Sequence, residues 1–200
     1  MGPELLFFLS SGLFLGWSLG ANDAANLFGT AVGSRMVRFR TAAVVCSLGV
    51  ILGAVVGGAG AAHTLGRLGA VNTLPGAFTV ALAAALATLA MTRCGLPIST
   101  SQAIVGAIIG WNIYAGMVTG SRALSQIVAS WVVCPLLAGA AAVGLYLLLR
   151  AGLRRSRIHL LRQDALLRAG LLLVGAFGAY SLGANNIANV MGVFLPDNPF

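Results

Sequence analysis

The sequence contains no lysine, and only four of its 200 residues are acidic: Glu4, Asp23, Asp164 and Asp197. Twelve arginines give a net charge of +8, yet charged residues make up only 8% of the chain. Soluble domains carry about 25%, so this composition excludes an ordinary soluble fold. It also argues against nucleic-acid binding, which needs a basic face on a solvated surface. Here the arginines fall between apolar runs, as topology-setting loops do. Cysteines are few, and Cys46, Cys94 and Cys134 lie in separate apolar stretches without ligand spacing. They are expected to be small buried residues, without a metal or redox role. No nucleophile–base pair or metal-ligand spacing suggests an enzyme. Glu4 stands where a cleavable signal would place basic residues.

What is abundant is apolar: 58% hydrophobic residues and a mean hydropathy of +0.95. The arginines divide the chain into six windows: Leu5–Ser34, Thr41–Gly66, Leu68–Thr92, Cys94–Ser121, Ala123–Leu149 and Ala169–Pro196. Each exceeds the roughly 20 residues a spanning helix needs. The fold expected is therefore an all-α polytopic membrane protein with about six membrane segments. Arg35, Arg38 and Arg40 crowd one loop; Arg150, Arg154, Arg155, Arg157, Arg162 and Arg168 crowd another. Both should be cytoplasmic, with the N-terminus outside. An even number of crossings must then separate them, which four windows crossing once each would supply.

Only the first window holds a formal charge, Asp23, within Gly20-Ala21-Asn22-Asp23-Ala24-Ala25-Asn26-Leu27-Phe28-Gly29. A carboxylate at the bilayer centre costs about 2.5–3.5 kcal/mol on insertion scales and so needs a partner. Asn22, Asp23 and Asn26 offer oxygens without positive charge, which suits sodium or a proton, and Gly20 and Gly29 would let the backbone leave helical geometry. Similar words return as Gly183-Ala184-Asn185-Asn186-Ile187-Ala188-Asn189. By the loop charges the two copies enter the membrane with opposite polarity, as an inverted repeat requires. Window four carries Gly95-Leu96-Pro97-Ile98-Ser99-Thr100-Ser101-Gln102. Pro97 should end one helix, and Ser99, Thr100 or Ser101 should cap the next. Free N–H groups and three hydroxyls there would suit an anion; the alternative is a plain helix start at the interface. The stripes Gly12/Gly16/Gly20 and Gly49/Gly53/Gly57 suit close helix packing. His63, Thr64, Arg67 and Asn72 read as an outer connection, and Ala77–Met91 as a run without chemistry.

Together the Gly-Ala-Asn-Asp and Gly-Leu-Pro-Ile-Ser-Thr segments resemble the inorganic phosphate transporter (PiT) family of sodium- or proton-coupled permeases. That resemblance implies an inverted-repeat secondary transporter with broken helices that carries inorganic phosphate. It would place Ser99, Thr100, Ser101, Asn26 and Asn189 at the substrate. Asn22, Asp23, Asn185 and Asn186 would serve cation coupling, with sodium at Asn22, Asp23 and Asn26, and no cofactor beyond the coupling ion. The sequence departs from the family pattern where Asn186 replaces an aspartate, Gln102 a histidine and Ser47 a glutamate. Sulfate or another oxyanion is therefore an alternative substrate, and a non-transporting membrane subunit an alternative role. Residues 1–149 are expected to form a first repeat, 150–168 a basic cytoplasmic connector and 169–200 the opening of a second repeat. The missing remainder would come from a longer chain or from another copy, as in a homodimer. The expected location is the cell membrane, of the bacterial inner-membrane type, with the lipid bilayer as the other partner.

Overall fold

The computed structural model describes residues 3–58, 71, 73–96, 98–156 and 158–194. The expected outer connection (His63, Thr64, Arg67, Asn72), Pro97, Arg157 and the tail from Leu195 lie outside them. Among the described residues there are six helices and no strand: α1 (Pro3–Gly33), α2 (Phe39–Gly57), α3 (Leu74–Arg93), α4 (Thr100–Tyr114), α5 (Ser121–Arg155) and α6 (Leu160–Met191). Five are long and apolar enough to cross a membrane. The exception is α4, whose 15 residues reach only about 22 Å, short of a hydrocarbon core of about 30 Å.

The chain directions follow from side-chain contacts. Phe78 at the start of α3 stacks on Phe7 of α1, with ring centroids 5.1 Å apart. Near the end of α3, Thr92 accepts a hydrogen bond from Asn22 at 2.9 Å. So α3 runs parallel to α1, in register with it. Helix α4 then returns, bringing Trp111 against Gly76, where a Cβ would lie 2.7 Å from the indole. The α3–α4 pair is thus a hairpin that starts and finishes at one end of the bundle. Its turn stops beside Asn22 and Asp23, ten residues or about 15 Å before the end of α1.

This alters the expected crossing count and keeps its consequence. The hairpin contributes no net crossing, α2 and α5 contribute one each, and the two arginine-rich loops still share one end. The Nη1 of Arg168 joins them directly by donating to the Met36 carbonyl at 3.3 Å. Counting apolar windows could not separate a run that crosses from one that turns back. The expected connector at 150–168 is also mostly helical, because α5 extends to Arg155 and α6 starts at Leu160. Arginine and leucine are both good helix formers.

Helix α6 lies antiparallel to α1, with Gly175 against Phe28, Gly178 against Leu27 and Val190 against Gly16. It lies parallel to α2, and that pair is the most intimate in the molecule. A Cβ on Gly49 would come within 2.7 Å of the Ala179 methyl, and one on Gly57 within 2.8 Å of the Ala184 methyl. A Cβ on Gly53 would overlap the Tyr180 carbonyl. The stripe therefore does what small residues do between helices in lipid: it lets backbones touch. In the α1 stripe Gly12 and Gly16 face α6, whereas Gly20 has nothing near it.

Two buried clusters result. Ala77, Val80, Ala81, Ala84 and Ala85 of α3 pack with Leu15, Ile104 and Ile108; Phe28, Ala31, Ala42, Cys46 and Ala179 form the second. The alanines of α3 leave room for helices on both sides, which makes it a central post. By contrast, α5 buries no residue fully; Ala123, Leu124, Ile127 and Trp131 are its contacts with the first cluster.

Candidate functional site: a carboxylate at the tip of a helical hairpin

Helix α4 begins where the hairpin turns. Ser99 has extended backbone (φ −87°, ψ 114°), and its hydroxyl accepts from the Gln102 N–H at 3.3 Å. Of the three hydroxyl residues expected to compete for the cap, Ser99 takes it. One turn of α4 thus starts inside the bundle, with its first N–H groups lacking partners from a preceding turn. Such an end favours negative charge.

Asp23 faces this end from α1. Its Oδ2 accepts from the Thr100 hydroxyl at 3.3 Å and from the Asn186 amide of α6 at 3.0 Å. Asn189, buried one turn further along α6, donates to the Asn186 Oδ1 and to the Ser101 hydroxyl, both at 3.0 Å. Four side chains from α4 and α6 therefore form one network around one carboxylate. The two Gly-Ala-Asn segments, far apart in sequence, meet in it. Among the described residues the only ion pair is Arg168–Asp164, far along α6. Among the described residues the negative charge of Asp23 is thus met by hydrogen-bond donors and by no protein cation.

A cavity of about 440 Å³ opens beside the network, lined by Asp23, Asn26, Ser99, Thr100, Ser101, Asn185 and Asn186 among others. A second, of about 610 Å³, shares Ser99, Ser101 and Asn185 with it and extends to α5. Of the residues singled out by sequence, Asn22 is the one turned elsewhere. Its amide donates to Thr92, whose own hydroxyl donates to the Thr88 carbonyl at 2.7 Å. On a helix, neighbouring residues point about 100° apart, so Asn22 and Asp23 serve different neighbours. Asn189 has both amide hydrogens engaged and acts as a brace between α4 and α6.

Two further expectations change. The backbone does not break at Gly20 or Gly29, because α1 is continuous from Pro3 to Gly33. The break that opens the site is in the hairpin instead. Of the cysteines only Cys46 is buried; Cys94 and Cys134 are exposed, and Cys134 lines the larger cavity. Just past the Ala77–Met91 run, α3 ends with Thr92, which accepts from Asn22. The pair Thr88/Thr92, one helical turn apart just before the Gly-Leu-Pro turn, was the signal for it. Ser130 and Trp131 of α5, which also line the larger cavity, sit in a strongly apolar run and gave none.

Comparison with known proteins identifies the family and the fold. Residues 19–163 match the Phosphate transporter family. A Mycobacterium bovis protein that carries a phosphate permease name is 33% identical over 154 residues, 68% of this chain and 28% of its own length. The sulfate permease CysP of Bacillus subtilis is 33% identical over 187 residues, 90% of this chain and 51% of that one. The chain thus spans about a quarter to a half of such relatives. A solved structure titled as the sodium-dependent phosphate transporter superposes with a TM-score of 0.77 at 23% identity, over 94% of this chain and 65% of that one. That likeness extends to the fold.

Proposed function

The chain belongs to the phosphate transporter family, and from that premise we propose that it moves inorganic phosphate across the cell membrane together with a cation, sodium or a proton. It is a multi-pass membrane protein whose relatives are named as transporters and permeases. The observation that carries the coupled reading is Asp23, a carboxylate with donors on two sides and, among the described residues, no protein cation, beside the open start of α4. An anion held at that helix start and a cation held at Asp23 neutralise each other. Each then binds better when the other is present, with reciprocal coupling typically of about 5- to 150-fold. Asn26 and Asn185, both exposed to the cavity, add oxygens for the cation, and the Ser99, Thr100 and Ser101 hydroxyls serve the anion. Alternating access further needs a second unit to move against this one, supplied by more of the same polypeptide or by another copy. A prokaryotic cell membrane fits the relatives in Mycobacterium, Bacillus and Pyrococcus.

A second reading, a sulfate carrier, is favoured by the similarity to CysP along nearly the whole chain. Both are tested by uptake of labelled phosphate and sulfate in a transport-deficient host expressing the full coding sequence, at several sodium concentrations and pH values. Phosphate uptake should depend on one of the two cations. Asp23→Asn should remove that dependence and nearly abolish accumulation. If Asp23→Asn responds to both cations as the parent does, the carboxylate is structural and the coupling scheme is wrong.

A further inference from the structure

The larger cavity has two chemically different walls. On the α4 side, the Ser99 hydroxyl accepts from the Gln102 N–H and the Ser101 hydroxyl accepts from Asn189. Each therefore keeps its own O–H to donate. On the α5 side the situation is reversed. The Ser130 hydroxyl donates to the Ile127 carbonyl at 2.7 Å, so it offers only lone pairs to the cavity. Next to it, the Trp131 carbonyl lacks its usual helical donor, because the residue four positions on is Pro135, inside the helix and without an N–H. Ser130, Trp131 and Pro135 all line this cavity. Residues with an O–H left to donate thus line the α4 side, and residues with an acceptor oxygen left over line the α5 side.

We propose that the Ser130 hydroxyl and the Trp131 carbonyl form an acceptor wall that selects a protonated oxyanion, phosphate, over an unprotonated one, sulfate. This rests on the reading of the chain as an oxyanion carrier. At neutral pH phosphate keeps at least one O–H, which donates to α5 while its bare oxygens accept from α4. Sulfate has no proton to give, so its oxygens face lone pairs on one side. Sites built to hydrogen-bond a substrate hydroxyl reject the analogue that lacks it, because their own polar groups are left unpaired. Ser130 lies far along the chain from both Gly-Ala-Asn segments, on the helix least enclosed by the rest of the bundle.

The test is the ratio of phosphate to sulfate affinity, read by competition against labelled phosphate uptake in the full-length transporter. Ser130→Ala removes one acceptor. Pro135→Ala restores an N–H that ties up the Trp131 carbonyl within the helix. Each should narrow the ratio about five- to tenfold, the effect of one hydrogen bond, chiefly by weakening phosphate. Ser130→Thr, which keeps the hydroxyl, should preserve the parent ratio, and all three should keep the parent's cation dependence. An unchanged ratio in both Ser130→Ala and Pro135→Ala, with phosphate still carried, overturns the acceptor wall alone. A parent protein that prefers sulfate also overturns it and leaves an oxyanion carrier standing. A parent that carries neither anion overturns the carrier reading as well.

Discussion

The two Gly-Ala-Asn segments are nearly the same words on antiparallel helices, yet they do different work where they meet. On α1 the segment supplies the charge, Asp23, and its Gly20 has open space around it. On α6 the equivalent position is Asn186, which donates to Asp23 at 3.0 Å. The equivalent glycine, Gly183, is buried, and a Cβ on it would run into the Val50 carbonyl of α2. One copy is therefore the charged wall of a cavity, and the other is a packing surface that presents an amide to it. Repetition in sequence fixed where the two segments would meet, and the neighbours of each decided its role. The single difference in polar chemistry is also informative. An amide can donate to a carboxylate without any proton or cation between them; a second carboxylate there could not.

That difference can be broken by exchanging the two residues. Asn186→Asp alone would put two carboxylates in contact, and like charges that close require a shared proton or a bound cation. Its uptake should then fall steeply as pH rises at low sodium, more so than the parent's. The exchange Asp23→Asn with Asn186→Asp keeps one carboxylate within the same network, with Asn189 still able to donate to it. It should restore cation-dependent binding that Asp23→Asn alone loses, a recovery within the roughly 5- to 150-fold range of such couplings. Phosphate binding against sodium and pH in the purified variants measures this. No recovery in the exchange would mean that the carboxylate must sit on α1, and that the two copies are not interchangeable as cation holders.

Much of this site was legible because lipid makes polar groups conspicuous. Asp23, Asn186 and Ser99–Ser101 stand out from apolar runs, and positive-inside loops give the antiparallel sense of α1 and α6. Less legible were features that leave hydropathy unchanged. For residues 77–109 the helix break at Pro97 was legible but the direction of the second helix was not, because a hairpin that turns back is as apolar as one that crosses. Gly20 and Gly29 would let α1 leave helical geometry, but a glycine only permits a break, and the packing of Leu15, Leu19 and Phe28 keeps the helix whole. Ser130 and Trp131 gave no signal because the acceptor role proposed for them depends on which hydrogen bonds are already used.

The paired glycines give a smaller effect, read in stability. Gly183→Ala must push α6 away from the Val50 backbone, and overpacking of this sort costs about 1–3 kcal/mol. Gly20→Ala meets open space and gains helix propensity, worth up to about 1 kcal/mol. Thermal unfolding of the two variants in detergent should therefore move in opposite directions, with Gly183→Ala the less stable. Equal destabilisation would show that Gly20 is packed in the assembled transporter, and the contrast between the two copies would lose its packing half.

The smallest effect concerns Asn22, whose α6 counterpart, Asn185, lines both cavities. Asn22 instead spends its amide on Thr92 at 2.9 Å, tying α1 to the tip of the hairpin that carries Ser99 and Thr100. Thr92→Val keeps the shape and removes the acceptor. The lost hydrogen bond should cost about 0.5–1.5 kcal/mol, felt as a looser hairpin tip. Because Asp23 keeps its Asn186 donor, the cation dependence should stay that of the parent, while phosphate affinity falls by only a few-fold. Asn185→Ala, in contrast, removes an amide exposed to the cavities and should change cation dependence itself. Measuring phosphate affinity against sodium in both variants separates a positioning asparagine from a lining one. If Thr92→Val shifts the cation dependence as much as Asn185→Ala does, Asn22 belongs to the cation site after all, and the two copies are more alike in use than their geometry indicates.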